Sequence, residues 1–292
     1  MKKFYGTGVA IVTPFREDGQ VDHDGLKTLV DHLIEGGINY IVSLGTTGES
    51  ATLNKEEKKQ VWEFTAKAVN GRVPLVAGIG GNNTSETVEQ IKDFNVQGYD
   101  AILSASPHYN KPTQEGIYQH YKALAGAAAL PIILYNVPSR TGSTVSAETT
   151  VRLAKDFENI IGIKEASGSF ELLNQLFRDK PEDFLVISGD DPITLPMIAM
   201  GAVGVVSVTG NALPKLVSGM VQTCLKGDFK AAQSAHYSLI EFTRLMFAEG
   251  SPAGVKSALK QLNVCGDTVR LPLVGVSEVT AGKIKEQIEL IG

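Results

Sequence analysis

Short runs of β-branched and other apolar residues, each ended by Gly, Ser, Thr or Pro, alternate along this chain with longer segments of helical period. The runs fall at 8–13, 40–44, 75–79, 101–104, 132–136, 160–165, 184–188 and 203–208. Most lack polar alternation, which predicts parallel strands covered on both faces. Helical segments follow them at 25–35, 55–69, 85–96, 114–127, 147–157, 170–178, 193–199 and 214–225. Eight βα units in succession predict an α/β fold of the closed (β/α)8 barrel type over an open doubly wound sheet. Entry signals support the division: Asn54 has Glu57 three residues on, and Thr84 stands three before Thr87 with Glu86 in the first turn. Pro74 and Pro131 sit at strand starts, where a missing N–H is tolerated. Three further helical segments, at about 228–247, 252–262 and 276–291, continue without a linker. The expected organisation is a catalytic barrel over 1–225 and a C-terminal helical domain over 226–292.

Composition narrows the class. The chain has 292 residues, 43% hydrophobic and 20% charged, enough for a large apolar core. A net charge of -5, with no basic stripe or zinc-knuckle spacing, argues against a nucleic-acid partner. No stretch approaches the roughly 20 apolar residues of a membrane span, and the residues after the opening MKKF show no sustained apolar region or cleavage site, so a cytoplasmic protein without a membrane partner is expected. Cys224 and Cys265 are far apart and read as packing residues. His23, His32, His108, His120 and His236 are scattered without ligand spacing, so no metal is expected, and no Gly-x-Ser-x-Gly elbow follows a strand.

In a (β/α)8 barrel the active site lies at the C-terminal ends of the strands. The polar groups there are Gly45-Thr46-Thr47-Gly48-Glu49-Ser50 after the second run, Ser106 to Asn110 after the fourth, Tyr135 to Arg140 at the fifth, and Lys164-Glu165 at the sixth. Lys164 ends an apolar strand, where burial disfavours the charged form of an amine, as a nucleophilic Schiff-base lysine requires. A snorkelling lysine paired with Glu165 is the alternative. Tyr135, at the end of the adjacent strand, could pass a proton to and from the reacting carbon; a core tyrosine capped by a backbone carbonyl is its alternative. Thr46 and Thr47 lie in a Gly-flanked turn suited to a small carboxylate, or simply begin the next helix. Arg140 could grip a second carboxylate with its fork, or be an ordinary surface arginine.

The motifs GTTGES, SPHYNKP, YNVPSRTG, GIKEASG and SGDD, in this order over nearly the whole chain, resemble the dihydrodipicolinate synthases, a branch of the N-acetylneuraminate lyase superfamily. The resemblance implies a homotetramer, a dimer of dimers, of (β/α)8 barrels with C-terminal helices, acting in lysine and diaminopimelate biosynthesis. It implies condensation of pyruvate with aspartate semialdehyde and no cofactor beyond the imine of pyruvate on Lys164. Tyr135 would donate and accept the proton, and Thr46 would link it in a relay to Tyr109 of a neighbouring subunit. Thr47 would hold the pyruvate carboxylate, Val206 contribute backbone contact, Gly189 line the pocket, and Arg140 meet the semialdehyde carboxylate. Its pairing with Ser139 favours the semialdehyde over the polyhydroxylated partners of sister lyases. Members inhibited by lysine bind it at positions that here read Ser50, Ala51, Lys55, Lys58, Asn82, Glu86 and His108. Lys55 and Lys58 are cationic where sensitive members carry His or Glu, so weak or absent feedback inhibition is expected.

Overall fold

The computed structural model describes every residue, Met1–Gly292. Its strands are β1 (Gly6–Ala10), β2 (Tyr40–Ser43), β3 (Leu75–Gly78), β4 (Ala101–Ala105), β5 (Ile132–Asn136), β6 (Ile160–Glu165), β7 (Leu185–Ser188) and β8 (Gly204–Ser207). Each pairs in parallel with the next, and β8 returns to β1 from Gly204 opposite Gly6 to Ser207 opposite Val9. The sheet therefore closes, and no edge strand is left with unpaired backbone groups. Outside it run α1 (His23–Glu35), α2 (Lys55–Val69), α3 (Thr84–Asp93), α4 (Gln114–Ala127), the single turn α5 (Pro138–Thr141), α6 (Ala147–Asp156), α7 (Phe170–Asp179), α8 (Thr194–Ala199) and α9 (Pro214–Leu225). The expected (β/α)8 barrel is the fold that forms.

Strand residues divide between two apolar clusters. Val42, Val76, Leu103, Ile133, Ile187 and Val206 fill the barrel interior. Ile41, Ala77, Ile102, Leu134 and Val186 face outward onto helix residues such as Leu29, Leu33, Trp62 and Leu124. Burial on both sides explains why the strands read as uninterrupted apolar runs. The start of α2 is held by side-chain caps: Asn54 accepts from the Glu57 amide at 2.9 Å while the Asn54 amide donates to the Glu57 carboxylate, completing the box expected there.

Some boundaries differ from the sequence reading. The cap of α3 is Asn83, which accepts from the Ser85 amide at 3.1 Å; Thr84 is already helical and its hydroxyl meets His120 Nδ1 at 2.8 Å. That helix ends at Asp93 because Phe94 turns extended to pack edge-on against Trp62 and Tyr99. The first strand begins at Gly6, earlier than its apolar residues suggest, because pairing with Gly204 uses only backbone. It stops before Val12, whose amide bonds the Asn211 side chain.

The remaining chain forms α10 (Phe229–Phe247), α11 (Ala253–Gln261) and α12 (Glu278–Ile291). Phe242, Leu245, Met246, Val255, Leu259 and Ile284 join the same outer apolar cluster as the barrel helices. No helix is long and apolar enough to cross a membrane.

Candidate active site

The C-terminal end of β6 carries the central group. Ile160 pairs with Ile132, but Gly162 pairs with Ile133, so Ile161 is an extra residue in β6. Such a bulge changes which face the following residues take. Ile161 lies in the interior cluster, Ile163 in the outer one, and a Cβ on Gly162 would meet interior Leu185 at 2.7 Å. Beyond the bulge, inward positions are 162 and 164. Without it, alternation from Ile161 would have turned Lys164 outward.

Lys164 stands opposite Tyr135 in the register and is only 4% exposed. Its Nζ lies 4.3 Å from the centroid of the Tyr135 ring. Tyr40, Tyr99 and Tyr121 donate their hydroxyls to the carbonyls of Val205, Trp62 and Ser104; the Tyr135 hydroxyl has no such cap. Gly189 follows β7, its amide bonded to Glu165 O at 2.8 Å. A Cβ there would stand 2.9 Å from Cγ and Cε of Lys164, so the lysine stem occupies the space that glycine leaves. Val206 is in the same interior cluster as Tyr135.

Glu165 does not pair with Lys164. It takes the outward face, is 1% exposed, and accepts from Asn136 Nδ2 at 2.8 Å and the Ser167 amide at 2.6 Å. Burial raises its carboxyl above the usual range, opposed by the bonds from Ser167 and Asn136. Asn136 also accepts from the Val145 amide at 2.9 Å, closing the loop that contains Arg140. Neither solvent exposure nor contact with Lys164 describes Glu165; it ties the ends of β5 and β6 together.

Thr46 and Thr47 form a 3₁₀ turn, Thr46–Gly48, after β2, with Thr47 buried and Thr46 exposed. Arg140 is exposed on α5 at the rim. Tyr109 is 87% exposed in a left-handed conformation, φ 70°, with its amide bonded to Thr141 O. One chain alone thus assembles Lys164, Tyr135, Gly189 and Val206, while the Tyr109 side chain stands exposed to solvent.

Asp191, whose motif the sequence suggested without a role, supports the far wall. It accepts hydrogen bonds from the Ser207 hydroxyl and from the amides of Val208 and Thr209, at 2.9 and 3.3 Å for the amides. Burial raises its carboxyl, opposed by those bonds and by the charge of Lys164. Burial also raises Asp190, helped by the charge of Asp191. The signal was two adjacent acids after an apolar strand.

Four of the seven positions named for an effector line one cavity of this chain. Lys55, Lys58, Asn82 and Glu86 line a cavity of about 760 Å³ between α2 and α3, which also includes Trp62 and Tyr99. Ser50, Ala51 and His108 lie outside it. Burial lowers the Lys58 ammonium below the usual lysine range.

The dihydrodipicolinate synthetase family model matches residues 3–291. The chain is 51% identical to the 4-hydroxy-tetrahydrodipicolinate synthase of Parabacteroides distasonis, covering 96% of this chain and 95% of that one. It is 52% identical to the enzyme of that name from Flavobacterium psychrophilum, covering 97% of each. A crystal structure of the chloride-inhibited dihydrodipicolinate synthase from Acinetobacter baumannii, complexed with pyruvate, superposes with a TM-score of 0.94 at 41% identity and 98% coverage of each chain. Match to the family model over almost every residue, and identity near one half to relatives of equal length, establish that the chain belongs to the dihydrodipicolinate synthetase family.

Proposed function

We propose that this chain is a Schiff-base 4-hydroxy-tetrahydrodipicolinate synthase, a lyase that condenses pyruvate with aspartate semialdehyde in lysine and diaminopimelate biosynthesis. The observation that carries the reading is the inward pair at the barrel mouth: a buried lysine amine over a tyrosine ring whose hydroxyl is uncapped. The names of the relatives, and pyruvate in the Acinetobacter complex, support the same substrates.

In this reading the Lys164 amine attacks the keto carbon of pyruvate, and the carbinolamine loses water to give the imine. Loss of a methyl proton gives an enamine, whose carbon attacks the aldehyde carbon of the semialdehyde; the new alkoxide takes a proton. The amine of the semialdehyde then attacks the imine carbon, closing the ring and releasing Lys164. Tyr135 carries protons in these steps, joined through Thr46 to Tyr109 of a neighbouring subunit. Thr47 holds the pyruvate carboxylate, Val206 adds a backbone contact, and Arg140 meets the second carboxylate. No cofactor enters the scheme. The working form is a homotetramer in the cytoplasm, with 1–225 as catalytic barrel and 226–292 as helical domain.

The test is pyruvate consumption with aspartate semialdehyde beside N-acetylmannosamine and simple sugar aldehydes, a coupled reductase reporting the cyclic product. Turnover of the semialdehyde alone is expected, and Lys164→Ala abolishes borohydride trapping of pyruvate. Preference for a sugar aldehyde would move the protein to a sister lyase, and near-normal turnover by Lys164→Ala would refute the imine mechanism.

A further inference from the structure

The turn that carries Thr46 and Thr47 ends on Glu49, whose φ of 52° and ψ of 35° put a residue with a side chain in left-handed backbone. The Glu49 amide donates to Thr46 O at 3.1 Å, so the placement of Glu49 is also that of the threonines. Something must hold it there, and the Glu49 carboxylate points to what does. It is buried, one oxygen accepting from Lys256 Nζ and the other from the Arg270 amide at 3.0 Å.

Lys256 belongs to α11, 207 positions along the chain, and its side chain is 0% exposed. Its Nζ also donates to Thr268 O at 2.8 Å and lies 4.2 Å from the centroid of the Phe15 ring. The Arg270 guanidinium stacks on the same ring at 4.5 Å and forks onto Glu57 at 2.6 and 3.0 Å. Thr13 closes the near side, its hydroxyl bonded to Gly48 O at 2.7 Å. Burial of such a pair is weak evidence of net stabilisation, whereas removal of one partner leaves a charge without compensation. What the pair supplies is a fixed position.

We infer that Glu49, Lys256 and Arg270 are positioning residues for the substrate carboxylate, by which α11 and the segment after it hold the Thr46–Thr47 turn in its binding geometry. The inference rests on the proposed role of Thr47 and of the imine on Lys164. None of the three residues touches the reacting atoms; they act through the turn.

The full-length protein is first treated with pyruvate and borohydride, which must give a trapped adduct; failure here overturns the functional reading and the inference with it. Lys256→Met and Glu49→Gln are then compared with Lys260→Gln, which removes an exposed pair with Asp267 from the same helix. The pyruvate KM is expected to rise about 10-fold in the first two with kcat within about 3-fold, and to stay unchanged in the control. In a Thr47→Ala background, Lys256→Met adds little to the KM, because both changes act on one contact. If Lys256→Met does not yield folded protein, Glu49→Gln, nearly the same shape, carries the same comparison. A normal pyruvate KM in either folded variant, or effects fully additive with Thr47→Ala, would overturn the positioning role while leaving the imine chemistry intact.

Discussion

At Gly189 the missing side chain is what admits the stem of Lys164, since a Cβ would lie 2.9 Å from two of its carbons. Overpacking at such a site displaces the neighbour or the backbone. Gly189→Ala is therefore expected to slow borohydride-trappable imine formation by about 10-fold or more, read by mass spectrometry of the trapped protein. An unchanged rate would mean that the lysine stem moves aside freely. Tyr135→Phe keeps the ring under Nζ and removes only the hydroxyl. Trapping should persist while turnover falls about 10²-fold; equal loss of both would make Tyr135 a packing residue. Lys164, Tyr135 and the threonines were legible because each ends an apolar run, and a polar residue there has a barrel mouth to face. Lys256 is not legible in the sequence, because a lysine in a helical segment ordinarily faces water, whereas here every residue from Ala253 to Leu259 is buried.

Element by element, the bulge in β6 decides which way the end of that strand faces, and its one sign in the run Ile160-Ile161-Gly162-Ile163 is the glycine. The bond between Thr84 on α3 and His120 on α4 is likewise a matter of two elements meeting. His120 is 3% exposed, and burial pushes its imidazole down to about 4 from 6.5. The sign follows from proton uptake: between these values the unfolded chain is protonated at His120 and the folded chain is not, so stability falls as pH drops from 6.5 towards 4. The expected contribution is about 3 kcal/mol, complete below the folded value. Urea unfolding of wild type and His120→Asn at pH 7 and pH 4.5 isolates it from the buried carboxyls Glu165 and Asp191. The wild type should lose more stability than the variant, and parallel losses would show that His120 does not titrate this way.

For the molecule as a whole, closure of the barrel brings eight strand ends to one rim, and the C-terminal helices reach across to the β2 turn. The cavity between α2 and α3 presents Lys55 and Lys58 beside Glu86. A lysine effector brings its own ammonium to these cations, so titration calorimetry with lysine is expected to show no saturable binding. Tight binding would mean that Glu86 and a neighbouring subunit outweigh them. Tyr109, so exposed in one chain, has a role in the proposed relay only when a second copy covers it.

By itself the sequence determined the count of βα units, the closed barrel, the capping box at Asn54, and the residue types at the strand ends, because these depend on local period and on groups close in the chain. The tertiary structure alone decided the inward turn of Lys164, the partners of Glu165, and the clasp of Glu49 by Lys256 and Arg270. The first depends on strand register, and the bonds of Glu165 to Asn136 and of Glu49 to Lys256 and Arg270 join residues far apart in the chain, which local pattern does not specify.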